Sequence, residues 1–74
     1  MDTAALRKDL LKIEKKIADG LHQITEQRQI IAELEHGGGS MHHAKYLLAG
    51  LELLQAAHQD RRNQLLKELG KTSD

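Results

Sequence analysis

Apolar residues recur along this chain at alternating intervals of four and three residues, on both sides of a single glycine run at 37–39. This is the heptad pattern in which one stripe of each helix packs against a partner helix. Because side chains of a strand repeat every two residues, the spacing predicts helices and excludes a sheet.

The two apolar stripes have one common register. If the chain folds back at the glycines, the residue numbers of facing positions always sum to 75, so that Leu10 faces Leu65 and Gly20 faces Gln55. This constancy predicts an all-α fold, an antiparallel two-helix hairpin that resembles a coiled coil. We call the two stripes the seam, and its members are Leu6, Leu10, Ile13, Ile17, Gly20, Ile24, Gln27, Ile31, Leu34, Met41, Ala44, Leu48, Leu51, Gln55, His58, Arg62, Leu65 and Leu69.

The glycine run also sets the predicted boundaries. Each helical glycine costs about 1 kcal/mol, so three in succession favour a turn. Asp2 or Thr3 is a suitable N-cap for the first helix and Ser40 for the second. Gly37 is placed where a left-handed residue would end the first helix, and Gly70 where the second would stop. We therefore predict one domain over 1–74, with a helix over about 4–36, a turn at 37–39, a helix over about 41–69 and a frayed tail over 70–74.

Gly20 leaves an alternative open. A glycine in the middle of a helix, next to Asp19, could end the first helix there and produce three helices. The seam continues in phase through Gly20, however, and no proline follows it. We therefore expect one continuous first helix.

Further apolar residues lie outside the seam, mostly on the second arm. Burying one Leu or Ile contributes about 1.5–3 kcal/mol, so leaving them all in water would forgo much stabilisation. The pattern predicts self-association, most simply a homodimer in which two hairpins form a four-helix bundle. Ordinary surface leucines and a groove for another protein's helix are the alternatives. The predicted self-association or partner face consists of Tyr46, Leu47, Leu53, Leu54, Ala57 and Leu66.

Charge is unevenly distributed although eleven basic and eleven acidic residues cancel. Segments 6–16 and 61–71 each carry a net charge of +3, whereas 17–60 carries −4. In a hairpin the two basic segments meet at the end opposite the turn, which we call the open end. A solvated charged surface is one interpretation; sequence-independent binding of nucleic acid or an acidic lipid surface is the other. The candidate anion-binding residues are Lys8, Lys12, Lys16, Arg61 and Arg62.

Polar and histidine residues suggest further, weaker hypotheses. Polar seam positions typically fix the register of a coiled coil, and His58 within the seam could also sense pH. His36, His42 and His43 bracket the turn, but a structural metal site usually has four ligands in fixed geometry. We therefore predict no metal or cofactor.

The chain lacks the residue sets that enzymes and membrane proteins need. It has no cysteine, no nucleophile paired with a base and no glycine loop between a strand and a helix, which argues against catalysis. No apolar run of 18 residues occurs, and the N-terminus does not resemble a signal peptide. A non-enzymatic cytoplasmic module for protein interaction or regulation is the expected function.

Four segments follow one another along the chain in a fixed order. They are Ile17-Ala18-Asp19-Gly20, the run QRQIIAELE at 27–35, the glycine turn, and the run DRRNQLLKEL at 60–69. In this arrangement, residues 17–69 resemble a group of very short bacterial helical-hairpin proteins that have no assigned activity. The resemblance implies a natural bacterial origin and carries no activity to transfer.

Overall fold

The computed structural model describes residues 2–72 as two helices, α1 (Thr3–Gly37) and α2 (His42–Thr72). The chain reverses between them, and the helices pack side by side into a rod of 57 × 14 × 14 Å. The prediction of an all-helical two-helix hairpin is confirmed. Because α1 passes through Gly20 without a break, the three-helix alternative is wrong.

Both ends of α1 are closed by local hydrogen bonds. Asp2 is the N-cap, since its side-chain Oδ1 accepts from the backbone N–H of Ala4 at 3.0 Å. At the other end Gly38 adopts the left-handed conformation with φ 73°, and the N–H of Gly39 donates to the Leu34 carbonyl at 3.0 Å. This bond belongs to the Schellman type of helix end. The left-handed residue is therefore Gly38, one position later than predicted.

The bounds of α2 also differ slightly from those predicted. The Met41 carbonyl accepts from the Lys45 N–H at 2.8 Å, so the helix starts just after Met41 and Ser40 lies one residue too early to be its N-cap. Gly70 does not end α2, because the helix continues through it, and among the described glycines only Gly38 has a positive φ. The helix continues to Thr72, and the remainder of the predicted tail, 73–74, lies outside the described residues.

Burial follows the seam. Every seam position is buried or half-buried. Outside the seam, only Thr3 and Glu68 are half-buried among the described side chains, and the others are exposed. The main cluster lies at the open end, where Leu6, Ile13 and Leu65 pack with Leu10, Ile17 and Leu69. Towards the turn the buried apolar residues are Ile24 and Ala44. The larger part of the core is therefore at the open end.

The glycine run provides a matched test of the turn. Gly37 is helical and has open space where a Cβ would stand, whereas Gly38 has the backbone conformation that disfavours L-residues. We expect Gly38→Ala to lower the free energy of unfolding by about 1 kcal/mol or more, and Gly37→Ala to leave it unchanged or raise it slightly. Urea denaturation followed by circular dichroism measures both, and equal effects would contradict this description of the turn.

Candidate functional site

The main group of exposed apolar side chains lies on α2 between residues 46 and 57. Tyr46 and Leu53 are 74 % and 75 % exposed, and Leu54 and Leu47 are 54 % and 45 % exposed. Between 46 and 57 the one charged residue is Glu52, which lies on another side of α2, 3.9 Å from Arg28 of α1. The result is an uncharged surface about three turns long, which we call the apolar face: Tyr46, Leu47, Gly50, Leu53, Leu54 and Ala57.

One residue of α1 extends this surface. Gln23 and Leu54 line the same groove beside the seam. Ile30 and Leu47 lie one heptad from Gln23 and Leu54, respectively, on the same side of the hairpin. Ile30 is 45 % exposed, so it borders the apolar face.

Leu66, by contrast, lies apart from the other predicted face residues. Glu52 and Gln59 line a groove on the opposite side of the seam, and Leu66 follows Gln59 by one heptad on that same side. It is 48 % exposed. Leu66 is therefore on the predicted helix but not on the apolar face.

The two seam glutamines each cross the interface between the helices. Gln27 Nε2 of α1 donates to the Ala44 carbonyl of α2 at 3.0 Å, and Gln55 Nε2 of α2 donates to the Ile17 carbonyl of α1 at 2.8 Å. Helix carbonyls point towards the C-terminus and have two lone pairs, so each can accept this bond besides its own helical one. These bonds between side chains and backbone were not foreseen in the sequence.

Gly20 makes room for one of these glutamines. A Cβ built at position 20 would overlap Gln55 Oε1, the far end of the side chain that reaches the Ile17 carbonyl. Gly20 is thus the small residue that lets Gln55 lie inside the seam. It faces Gln55 as the register requires.

The polar part of the seam is incompletely satisfied. Gln55 Oε1, His58 Nδ1 and Arg62 Nε are buried and have no hydrogen-bond partner among the described residues. Each such group costs about 1–3 kcal/mol. An open groove of about 310 Å³ runs beside Gly20, Gln55 and His58. This section therefore contributes less to stability than the apolar layers on either side of it.

The basic residues at the open end surround a second groove. Lys12, Lys16 and Arg61 line it together with Asp9. Within residues 2–72 the ion pairs join other side chains: His22 with Glu26, Arg28 with Glu52, and Lys71 with Glu68. The five candidate anion-binding residues, Lys8, Lys12, Lys16, Arg61 and Arg62, are therefore outside these ion pairs. Arg62 is half-buried in the seam, and the other four are exposed.

The three histidines near the turn, His36, His42 and His43, are exposed. Over the described part of the chain, no three His, Asp or Glu side chains come together in a group that could hold a metal ion. Neither described helix combines the length and the apolar character that crossing a membrane requires.

Comparison with known proteins gave no match to any family model, curated protein or solved structure.

The contact between Gly20 and Gln55 can be measured by a double-mutant cycle. When Gly20→Ala is the only substitution, the new side chain displaces Gln55 and breaks its hydrogen bond to the Ile17 carbonyl. The stability lost with that bond offsets the gain of about 1 kcal/mol from replacing a helical glycine. In a chain that already carries Gln55→Ala, no such bond is lost, so Gly20→Ala should raise the free energy of unfolding by about 1 kcal/mol. We expect a coupling of about 1 kcal/mol or more from urea unfolding of the four proteins at one concentration. A Gly20→Ala effect that is the same in both backgrounds would contradict the contact.

Proposed function

We propose that this chain is a non-enzymatic, cytoplasmic interaction module that self-associates through the apolar face, as a homodimer of hairpins. The observation that carries the proposal is the apolar face itself. Four large side chains, Tyr46, Leu47, Leu53 and Leu54, are between 45 % and 75 % exposed on one uncharged surface of α2. Contiguous apolar patches of this kind mark interaction sites in soluble proteins.

The total surface supports the same proposal. The hairpin has an accessible surface of 5704 Å² at a mass of 8.3 kDa. A compact monomer of that mass exposes about 4600 Å². The difference, roughly 1100 Å², is comparable with the ~800 Å² per chain that a standard interface buries. A standard interface with a second copy would lower the exposed surface to about 4900 Å² per chain, closer to that of a compact monomer.

The position of the core adds a second support. The main apolar cluster lies at the open end, around Leu6, Ile13 and Leu65. The apolar face lies in the half nearer the turn, where Ala44 is a small member of the seam. Association through this face adds apolar contacts to the half of the hairpin that has fewer large buried side chains.

Two leucines with similar exposure provide the test. Leu53 on the apolar face and Leu11 on the outer side of α1 are 75 % and 71 % exposed. We expect the natural chain to sediment as a dimer at micromolar concentration. Leu53→Glu introduces a carboxylate into the interface and should weaken association by at least about 100-fold, whereas Leu11→Glu should not. Analytical ultracentrifugation measures the association, and circular dichroism verifies that the variants remain helical.

A folded monomer at these concentrations would contradict self-association, and equal effects of the two substitutions would contradict the choice of face. Should Leu53→Glu lose its helices, Leu53→Ala serves instead. That variant keeps a good helix former and removes apolar area, and we expect about a tenfold weaker dimer.

The open end supports a second candidate function, the binding of polyanions without sequence specificity. Lys12, Lys16 and Arg61 come from two helices, line one groove and lie outside the ion pairs of the described residues. Repulsion among clustered cations costs some stability, and phosphate groups are anions that relieve it. The groove also contains Asp9, which reduces its positive potential.

Fluorescence anisotropy with labelled single-stranded and duplex oligonucleotides tests this second function. At low salt we expect weak binding that the triple change Lys12→Gln, Lys16→Gln, Arg61→Gln abolishes. The pair Arg28→Gln, Lys45→Gln removes basic residues outside the open end and should leave binding nearly unchanged. Because phosphate contacts release counterions, binding should also fall steeply with added salt. No binding at low salt would exclude this function.

A further inference from the structure

We infer that the dimer forms by antiparallel packing of α2 against α2 of a second copy, about a twofold axis between Gly50 and Leu53. This inference rests on the proposed self-association and adds to it the helix, its direction and its register. Tyr46, Gly50, Leu53 and Ala57 lie on one row of the apolar face at intervals of four, three and four residues. Such a row is a seam for a second helix.

The sizes in this row are complementary when it is reversed. Along α2 the order is large, small, large, small, and the opposite direction reads small, large, small, large. Tyr46 then faces the partner's Ala57, and Leu53 faces the partner's Gly50. In a parallel, in-register pair each residue would meet its own copy, with tyrosine against tyrosine and a gap at glycine. Alternating large and small residues interdigitate, so antiparallel pairing packs better.

Gly50 itself points to a partner. A Cβ at this position would meet nothing within 4 Å in the hairpin, so packing of α1 against α2 does not require a glycine there. A glycine inside a helix is destabilising compared with alanine. In the antiparallel pair, Gly50 is the position that admits the partner's Leu53. The hairpin alone gives no reason for a glycine at position 50, whereas the inferred dimer does.

The surface available is sufficient for a second copy. Taking about 200 Å² for a fully exposed large side chain, the exposed fractions of the four large apolar residues of this face on α2 amount to roughly 500 Å² per chain. With the small residues between them, this approaches the ~800 Å² per partner of a standard interface. The four fractions are 74 % for Tyr46, 75 % for Leu53, 54 % for Leu54 and 45 % for Leu47.

Charge also favours the antiparallel direction. The half of the hairpin near the turn is acidic, with Glu33 and Glu35 on α1, and the open end is basic. Antiparallel pairing places the turn of one copy beside Arg61 of the partner subunit. A parallel pair would place the two basic open ends side by side. Opposite potentials attract and like potentials repel, which favours the antiparallel arrangement.

Mixed disulfide formation tests the register, since the chain has no cysteine of its own. His43 and Asp60 continue the row by three residues at either end and are exposed. We expect equal mixing and mild oxidation of His43→Cys and Asp60→Cys chains to give the mixed disulfide at least about tenfold faster than either chain crosslinks with itself. Lys15→Cys on the outer side of α1 reports random collision.

Each outcome separates the two proposals. A dimer by ultracentrifugation without preferred mixed crosslinking overturns the antiparallel register and leaves self-association standing. Preferred self-crosslinking of His43→Cys indicates a parallel pair and overturns it as well. A folded monomer by ultracentrifugation would contradict both the inferred geometry and the proposed self-association.

The size pattern has its own test in Gly50→Leu. Helix content should be maintained, because the hairpin has room for the side chain, but a second leucine cannot fit against the partner's Leu53. We expect the dissociation constant to rise at least about 100-fold, and the addition of Leu53→Ala to recover most of that loss. Gly70 is a helical glycine outside the apolar face, and nothing lies within 4 Å of the position its Cβ would take; Gly70→Leu should therefore leave the dimer intact. Unchanged association of Gly50→Leu would overturn the inference.

Discussion

The packing of one stripe of α1 against one stripe of α2 at a constant register is the interaction on which the rest of the structure depends. Burial in the described chain is almost confined to this seam. Since the seam is narrow, nearly all the other described residues are exposed, including eight large apolar side chains. The exposed surface is therefore a direct consequence of the fold: two helices alone have no second layer with which to cover it.

Apolar heptads alone tolerate slippage, and the polar layers in the seam restrict it. Gln55 can donate to a carbonyl of α1 where the facing residue leaves room for its side chain, and Gly20 does so. A slip of one heptad would place Gln55 against Ile13 or Gln27, each of which carries a side chain where Gly20 has none. The incompletely satisfied groups at Gln55, His58 and Arg62 are the cost of this specificity. Polar seam residues commonly exchange stability for register in this way.

Features that depend on the period of the apolar residues could be predicted from the sequence, whereas features that depend on local geometry could not. The seam and the two helices follow from spacing, because burial of one stripe determines both. Among three adjacent glycines, however, spacing does not identify Gly38 as the left-handed one, and Gly70 resembles a helix stop although α2 continues through it. The carbonyl partners of Gln27 and Gln55 depend on distances between the helices. Leu66 shares the apolar character of the predicted face, although its position in the heptad places it on another side.

The inferred dimer makes the two candidate functions compatible. With Gly50 beside the partner's Leu53, the overlap of the two α2 helices ends near residues 42 and 61. In that dimer the remaining 62–72 of each α2 would project past its partner by about 16 Å at 1.5 Å per residue. The basic open ends would therefore lie at opposite ends of the dimer, uncovered by the interface. Because one dimer would present two such ends, even weak contacts with a polyanion would reinforce each other wherever one strand or surface reaches both. Self-association through the apolar face would then increase the affinity of the open ends without adding a single contact to either of them.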